Sequence, residues 1–248
     1  MLITLTTDFS DSGGFVAQMK AKIIELFSEN VNIIDITHNI TSFNTIEAAY
    51  IVRTTIPRFP KNSIHIVVVD PQVGSKRDIV ATKCNDQYII SPDNEVLSLI
   101  EQDLTVKINK QKINPTPSKT FEGYDIMAPS AYLLYKNGIE SLGEIVDKPK
   151  TPKFFPIKNK NYVKGKIVYI DKFGNCISNI EKYILSKGFK SIKIKNLTFK
   201  TLSDTYFDTS FNPKAIINSS GFLEFALYKN SFSKKFDIRY LDDVEIVL

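Results

Sequence analysis

Apolar and polar positions follow two different rhythms along this chain. Up to about residue 70, strand-like and helix-like stretches alternate. Leu2 to Thr6 reads as a short strand ending at Thr7-Asp8, and the Gly-bearing turn Ser10-Asp-Ser-Gly-Gly14 follows. Val16, Met19, Ile23 and Leu26 then recur at i, i+3, i+7 and i+10, a spacing that predicts a half-buried helix. Val31 to Ile36 predicts a second strand, Thr45 to Ile56 a second helix stopped by Pro57, and Ile64 to Val69 a third strand. The βαβαβ order predicts a parallel sheet covered by helices, with ligands held beyond the carboxyl ends of the strands. Asp8, the stretch Asp35 to Asn39, and Asp70 occupy such ends.

A polar loop, Thr120-Phe-Glu-Gly-Tyr-Asp125, precedes a helix expected from about Met127 to Asn137. The segment Lys148-Pro-Lys-Thr-Pro-Lys-Phe-Phe-Pro156 is too rich in proline for a helix or a central strand, and marks a domain boundary. Beyond it come short β-type runs: Gly165 to Ile170, Ser191 to Ile194, Ala215 to Asn218, Phe222 to Tyr228 and Val244 to Leu248. The expected fold is α/β, with an N-terminal parallel-sheet domain over residues 1–147 and a Pro/Lys-rich linker over 148–161. A smaller C-terminal antiparallel β barrel or sandwich occupies 162–248.

Composition narrows the class. At 248 residues, 43% hydrophobic and 24% charged, the chain can bury a core without staples, and it is neither disordered, collagen-like nor coiled-coil. The net charge of +5 hides an asymmetry. Residues 1 to 150 carry 15 basic against 18 acidic side chains, and residues 151 to 248 carry 17 against 9. The Lys-rich half raises the question of nucleic acid. Its lysines are spread through β segments without interleaved Arg and aromatic residues, so a solvated face, and no nucleic-acid partner, is expected. Cys84 and Cys176 stand apart and there are only two histidines, so neither a disulfide framework nor a metal site is expected. The first residues lack a basic leader, and the aliphatic run Ile64 to Val69 is far short of the roughly 20 residues of a membrane span. A cytoplasmic protein without membrane partners is expected.

The stretch Val67-Val-Val-Asp-Pro-Gln-Val-Gly-Ser-Lys-Arg77 is the most informative. A carboxylate at the end of a buried strand, with an arginine seven residues on, can place an anion and a guanidinium at one loop, either as a structural ion pair or as chemistry. Asp8 suits a turn or cap as well as a ligand, Glu122 a solvated loop charge, and His38 a hydrogen-bonded structural role. Together with Ile34-Asp-Ile-Thr-His-Asn-Ile40, Ser91-Pro-Asp-Asn94, Thr120-Phe-x-Gly-x-Asp125, Ile170-Asp-x-Phe-Gly-Asn175 and Asn218-Ser-Ser-Gly221, these segments form an ordered set. In that order the chain resembles, over essentially its whole length, the S-adenosylmethionine hydroxide adenosyltransferases, relatives of fluorinase and chlorinase.

The resemblance implies hydrolysis of S-adenosyl-L-methionine to adenosine and methionine without metal or cofactor. It also implies a homotrimer whose active sites lie between the N-terminal domain of one subunit and the C-terminal domain of the next. It assigns Asp8 to the two ribose hydroxyls, a carboxylate with two acceptor oxygens facing two donors. It assigns Phe43 to the ribose and sulfonium region, Thr120, Phe121 and Gly123 to the nucleophile pocket, Asp171 to the methionine ammonium, Ser219 to its carboxylate, and Phe173 with Asn175 to the adenine.

The family's water-activating trio is Asp, Arg and His. Asp70 and Arg77 match, and the histidine position is Glu122. Water attacking the carbon that bears a sulfonium develops positive charge, which a carboxylate stabilises or relieves by taking the proton. Glu122 can fill the histidine's role if Arg77 keeps one carboxylate ionised and aimed; the alternative, on close approach of Asp70 and Glu122, is a proton shared between them. Further departures are Gln72 and Glu95 where glycine is usual, and Tyr228 near the usual adenine-side asparagine. Halide-using relatives have a tyrosine in place of Asp70. A halide about 4 Å from one carboxylate is repelled by roughly 4 kcal/mol at an effective dielectric near 20. Water is therefore the expected nucleophile, and a catalytically weak or inactive S-adenosylmethionine or adenosine binder is the alternative.

Overall fold

In a computed structural model, residues 1–28, 30–147, 154–186, 188–207 and 210–248 are described. The chain divides into two compact units, Met1–Lys153 and Phe154–Leu248. The first six residues of the expected linker, 148–153, lie outside the described residues.

The first unit runs β1 (Leu2–Thr7), α1 (Phe15–Phe27), β2 (Asn32–Thr37), α2 (Thr45–Thr55), β3 (Ile64–Val68), β4 (Ile79–Cys84), β5 (Gln87–Pro92), β6 (Leu104–Ile108), the single turn α3 (Lys110–Ile113), α4 (Ala128–Asn137) and β7 (Gly143–Val146). Its seven strands are ordered β2-β1-β3-β5-β4-β6-β7. The pairs β2-β1, β1-β3 and β3-β5 are parallel; β5-β4, β4-β6 and β6-β7 are antiparallel. The expectation of a parallel sheet is thus corrected to a mixed one. Asn85 and Asp86 both take positive φ (49° and 60°), the backbone of a two-residue hairpin that folds β5 back along β4.

The helix periodicity of the sequence is matched by α1 and α2. Met19, Ile23 and Phe27 of α1 are buried with Ile3, Leu5, Ile64 and Ile66 on one face of the sheet, alongside α4. On the other face, Ala48 and Val52 of α2 pack with Val67, Val69, Val80 and Ile89. Burial on both faces explains the nearly unbroken apolar run in β3. The start of α2 is fixed by Asn44, whose side chain accepts the Glu47 amide at 3.1 Å. The helix passes into a tighter turn, Ile56–Arg58, at Pro57.

Because β2 lies on one side of β1 and β3 on the other, the strand order switches at the β1–β3 pair. Thr7 pairs with Val68 in register, so Asp8 and Asp70 leave the sheet at the same end. That end is where an open α/β sheet offers a crevice.

The second unit holds β8 (Ile157–Lys158), β9 (Tyr162–Ile170), β10 (Cys176–Glu181), α5 (Lys182–Leu185), β11 (Ser191–Ile194), β12 (Leu197–Phe199), β13 (Pro213–Ile217), β14 (Phe222–Leu227), α6 (Phe232–Phe236) and β15 (Asp243–Val247). All its pairings within the eight-stranded, barrel-like sheet are antiparallel, in the order β12-β11-β15-β9-β10-β14-β13, with β8 on β9. Ile157 and Lys158, in the expected linker, therefore belong to the sheet. Val163, Ile167, Leu223, Phe225, Phe232 and Val244 centre the core. Among the described residues no helix is long and apolar enough to cross a membrane.

His65, in the middle of β3, is fully buried, with its Nδ1 2.7 Å from the Thr4 hydroxyl. Burial pushes its pKa from 6.5 down to about 4. Between those values the unfolded chain binds a proton that the folded chain refuses, so the stability contribution is complete above 6.5 and is lost as pH falls towards 4. A shift of that size corresponds to about 3 kcal/mol. Urea denaturation of the wild type should show this decline, and a His65→Gln variant should show a shallower one; parallel pH dependences would refute the assignment.

Candidate active site

Three loops converge beyond the ends of β1 and β3. The 70–77 loop can lie against the 118–122 segment because Gly74 takes φ +79°, and a Cβ there would sit 2.6 Å from the Lys119 carbonyl oxygen. Asn94 donates its side-chain amide to the Val69 carbonyl at 3.0 Å, fixing the residue just before Asp70. In the third loop, Asp125 accepts the Ser118 amide at 2.9 Å, and Phe121 packs edge-on against Phe9 and Phe15. Gly123 opens a π-helical turn, Gly123–Met127, where a Cβ would press to 3.2 Å from Met19 Sδ. Glu122, at the mouth of that turn, is thereby drawn against β3.

The result is a nearly dry charge array. Arg77 Nε donates to Asp70 Oδ1 at 2.8 Å, and Nη2 donates both to Asp70 Oδ2 and, at 2.5 Å, to Glu122 Oε2. The three side chains are 5%, 5% and 8% exposed respectively for Arg77, Asp70 and Glu122. Nη1 reaches the Asp78 carbonyl at 3.2 Å, and the Gln72 amide donates to Asp70 Oδ1 at 3.1 Å. The two carboxylates are therefore bridged by one guanidinium. Lys110, not among the residues expected from the sequence, donates to Glu122 Oε1 at 2.6 Å. Its position in an Asn-Lys-Gln-Lys run gives no sign of a buried acceptor 12 residues away.

A cavity of about 250 Å³ is lined by Asp8, Phe43, Asp70, Thr120, Phe121, Glu122 and Gly123, among others. Seven of the expected site residues thus share one cavity, with Arg77 behind its wall. Asp8 Oδ2 accepts the Phe43 amide at 2.9 Å; Phe43 takes φ +67° and is 65% exposed. A carboxylate has about four lone-pair sites, so capacity for two hydroxyl donors remains. His38 is buried beside the Thr7 hydroxyl at 2.9 Å, as a structural histidine would be.

Neither departure from glycine disturbs the backbone. Gln72 and Glu95 are both absent from the positive-φ positions, and Glu95 begins a short 3-10 turn whose carboxylate accepts the Thr45 hydroxyl at 3.2 Å.

In the second unit, Asp171, Phe173 and Asn175 line a concavity of about 720 Å³ with Tyr206, Tyr228 and Ser231. Asp171 organises its own loop: Oδ1 accepts the amides of Phe173 and Asn175, each at 2.9 Å, and Oδ2 accepts Asn175 Nδ2 at 2.9 Å. Gly174 allows that loop to press on Ser231, whose Oγ would stand 2.0 Å from a Cβ. Phe173 is 65% exposed. Ser219, on the exposed turn between β13 and β14, is not among the lining residues of either hollow. Glu224 went unread, although a carboxylate inside the apolar strand Phe222-Leu-Glu-Phe-Ala-Leu was a signal. It accepts the Tyr206 hydroxyl at 2.8 Å. Burial pushes its carboxyl above the usual range, against hydrogen bonds from Tyr206 and Asn218. Among the described residues no group of three or more His, Cys, Asp or Glu could hold a metal ion.

An α/β unit with a crevice at its switch point and a β unit presenting an aromatic ring beside an amide define a two-part enzyme-like architecture. Domain comparison makes it specific: the SAM hydroxide adenosyltransferase N-terminal domain matches residues 3–143 and the C-terminal domain matches residues 165–245. The chain belongs to this family. A protein named (R)-S-adenosyl-L-methionine hydrolase from Methanocaldococcus jannaschii is 35% identical, covering 99% of this chain and 95% of that one. A fluorinase of Actinoplanes sp. is 25% identical over 91% of this chain and 90% of its own. A crystal structure of an uncharacterized conserved protein from Thermotoga maritima superposes with a TM-score of 0.86 at 28% identity, covering 99% of both chains.

Removing the bridging cation should be costly, because two carboxylates would be left close together in a dry site. Arg77→Met is expected to lower unfolding free energy by about 3–5 kcal/mol. Arg77→Lys, which keeps the charge but not the fork, should fall between it and the wild type. Urea denaturation measures both, and an Arg77→Met protein as stable as wild type would contradict the array.

Proposed function

We propose that this protein hydrolyses S-adenosyl-L-methionine to adenosine and L-methionine, with Asp70, Arg77 and Glu122 as the catalytic group. The observation that carries the reading is the Arg77-bridged carboxylate pair lining the same small cavity as Asp8 and Phe43. It is supported by membership of the family and by the hydrolase from Methanocaldococcus jannaschii.

In this reading a water oxygen attacks ribose C5′ as the C5′–S bond breaks, and methionine leaves as a neutral thioether. The attacking water gains positive charge and passes its proton to a carboxylate at the cavity wall, Asp70 or Glu122. The step consumes the sulfonium charge and releases one proton, so it balances without a metal or cofactor. Arg77 aims both carboxylates through its fixed fork of donors. Asp8 takes the ribose hydroxyls, Phe43 covers the ribose and sulfonium, and Thr120, Phe121 and Gly123 shape the space for water. Asp171 holds the methionine ammonium and Ser219 its carboxylate, while Phe173 stacks on the adenine and Asn175 reads its edge. Asn175 Nδ2 gives one hydrogen to Asp171, which leaves its second hydrogen and its carbonyl oxygen for the base.

The expected electrostatic exclusion of halide takes a more local form. Arg77 and Lys110 offset the two carboxylates in total charge, yet Asp70 and Glu122 line the cavity and the two cations do not. An anion entering the cavity meets the oxygens first.

We further infer a cytoplasmic homotrimer in which the N-terminal unit of one subunit and the C-terminal unit of the next complete each site. Supporting this, ten of the twelve expected residues line two different hollows, seven in one of the first unit and Asp171, Phe173 and Asn175 in one of the second.

Purified protein given S-adenosylmethionine should release adenosine and methionine, and added chloride should yield no 5′-chloro-5′-deoxyadenosine. Tight binding without adenosine would instead identify a non-catalytic binder. Asp70→Ala should abolish turnover while retaining ligand binding. Mixing unfolded and co-refolded Asp70→Ala and Asp171→Ala subunits should restore about a quarter of the wild-type rate, the share of intact sites in randomly assembled closed rings. No recovery from a refolded mixture of trimers would place each site within one chain.

A further inference from the structure

One guanidinium carries a single positive charge, and it is shared between two carboxylates that are almost completely removed from water. The second cation of the array is Lys110. Its Nζ donates to Glu122 Oε1 at 2.6 Å and to the Arg77 main-chain carbonyl at 3.2 Å. Lys110 thus touches two members of the proposed catalytic group at once. The lysine backbone is itself anchored: Asn109 caps α3 by accepting the Lys112 amide at 3.1 Å, and its own amide donates to the Leu142 carbonyl at 2.9 Å.

The geometry divides the array into two faces. Asp70 and Glu122 line the small cavity, whereas Arg77 and Lys110 line a different hollow together with Lys76, Lys107 and Lys112 and the acids Asp78, paired with Lys107, and Glu144. The oxygens face the place where a substrate would sit, and the nitrogens stand behind them. An ordinary surface ion pair contributes little, because both partners remain hydrated. Glu122 is only 8% exposed and Lys110 27%, so this pair lies closer to the buried case, in which removing one partner strands the other.

We propose that Lys110 is a positioning residue for the reaction. By holding Glu122 Oε1 and the Arg77 carbonyl, it fixes the direction of the Glu122 carboxylate and offsets the charge that Glu122 brings, without touching the substrate. The proposal rests on the hydrolase reading of the site. Lys110 lies 12 residues before Glu122 in sequence, at the first position of α3, and through it α3 bears on the chemistry.

The test compares Lys110→Met and Lys110→Arg with the wild type in adenosine formation over roughly pH 5 to 9, with melting temperatures measured alongside. Lys110→Met is expected to lower kcat by about tenfold or more with KM changed by less than about threefold. It should also move the acidic limb of the kcat profile to higher pH, because a carboxylate that has lost a neighbouring cation takes up its proton more readily. Lys110→Arg should recover most of the rate and return the limb towards the wild-type position. A wild-type kcat and profile in Lys110→Met would overturn the proposal. So would a rate loss that follows the melting temperature and leaves the limb in place. If Lys110→Met does not fold, Lys110→Gln is read by the same criteria, and an unmoved limb in that protein is equally decisive. Wild-type adenosine formation tests the hydrolase reading, and the ratio of variant to wild type tests Lys110. A wild type that forms no adenosine removes both.

Discussion

A guanidinium held between two carboxylates with almost no water is the constraint on which the first unit is organised. Charges so placed are stable only while their partners stay in position, so the loops that carry them have little freedom. The backbone around the array answers that demand. Gly74 lets one loop lie on the Lys119 carbonyl, Gly123 lets another come against Met19 and Val68, and Asn94 holds the chain at Val69. Each is a local device whose effect is to bring Arg77 and two acids from different loops to one point.

Much of this was legible in the order of residues, and for physical reasons. The rhythm of Val16, Met19, Ile23 and Leu26 marked α1 because a helix packed on a sheet must present one apolar stripe. Asp8 and Asp70 stood out because polar residues ending buried strands have no place in the core. What escaped was long-range or context-dependent. The antiparallel half of the sheet hangs on the hairpin at Asn85-Asp86, a two-residue signal between strands with little alternation, and reading the sheet as parallel followed from stopping at β3. Lys110 escaped because nothing local distinguishes it from other lysines. Its partner is defined by the path of β6 and the third loop together. Glu224 was the opposite case, visible as a lone charge in an apolar strand, but without a motif to attract notice.

The two units treat their candidate ligand groups differently. In the first, Asp70 is satisfied by Arg77 of its own loop and Glu122 by Arg77 and Lys110 from elsewhere in the chain. In the second, Asp171 is satisfied by its own loop, with two amides and the Asn175 side chain as donors. Such a loop is ordered by folding and not by a ligand, so Phe173 is held out into solvent with its backbone already fixed. The charge asymmetry of the sequence, acidic before residue 150 and basic after it, follows the same division. The acids of the charge array lie in the first unit, and the lysines of the second are spread over its strands, turns and short helices.

The two-faced character of the array bears on what happens after the bond breaks. A cavity wall of oxygens backed by nitrogens attracts a cation and is indifferent to a neutral molecule. The proposed reaction turns a sulfonium into an uncharged nucleoside and a thioether. The attraction that drew the substrate in therefore ends with the bond, and neither product keeps the feature for which it was held. Cleavage would loosen the enzyme's grip at the reacting centre, so that release there needs no opening of the charged loops and no rearrangement of Arg77.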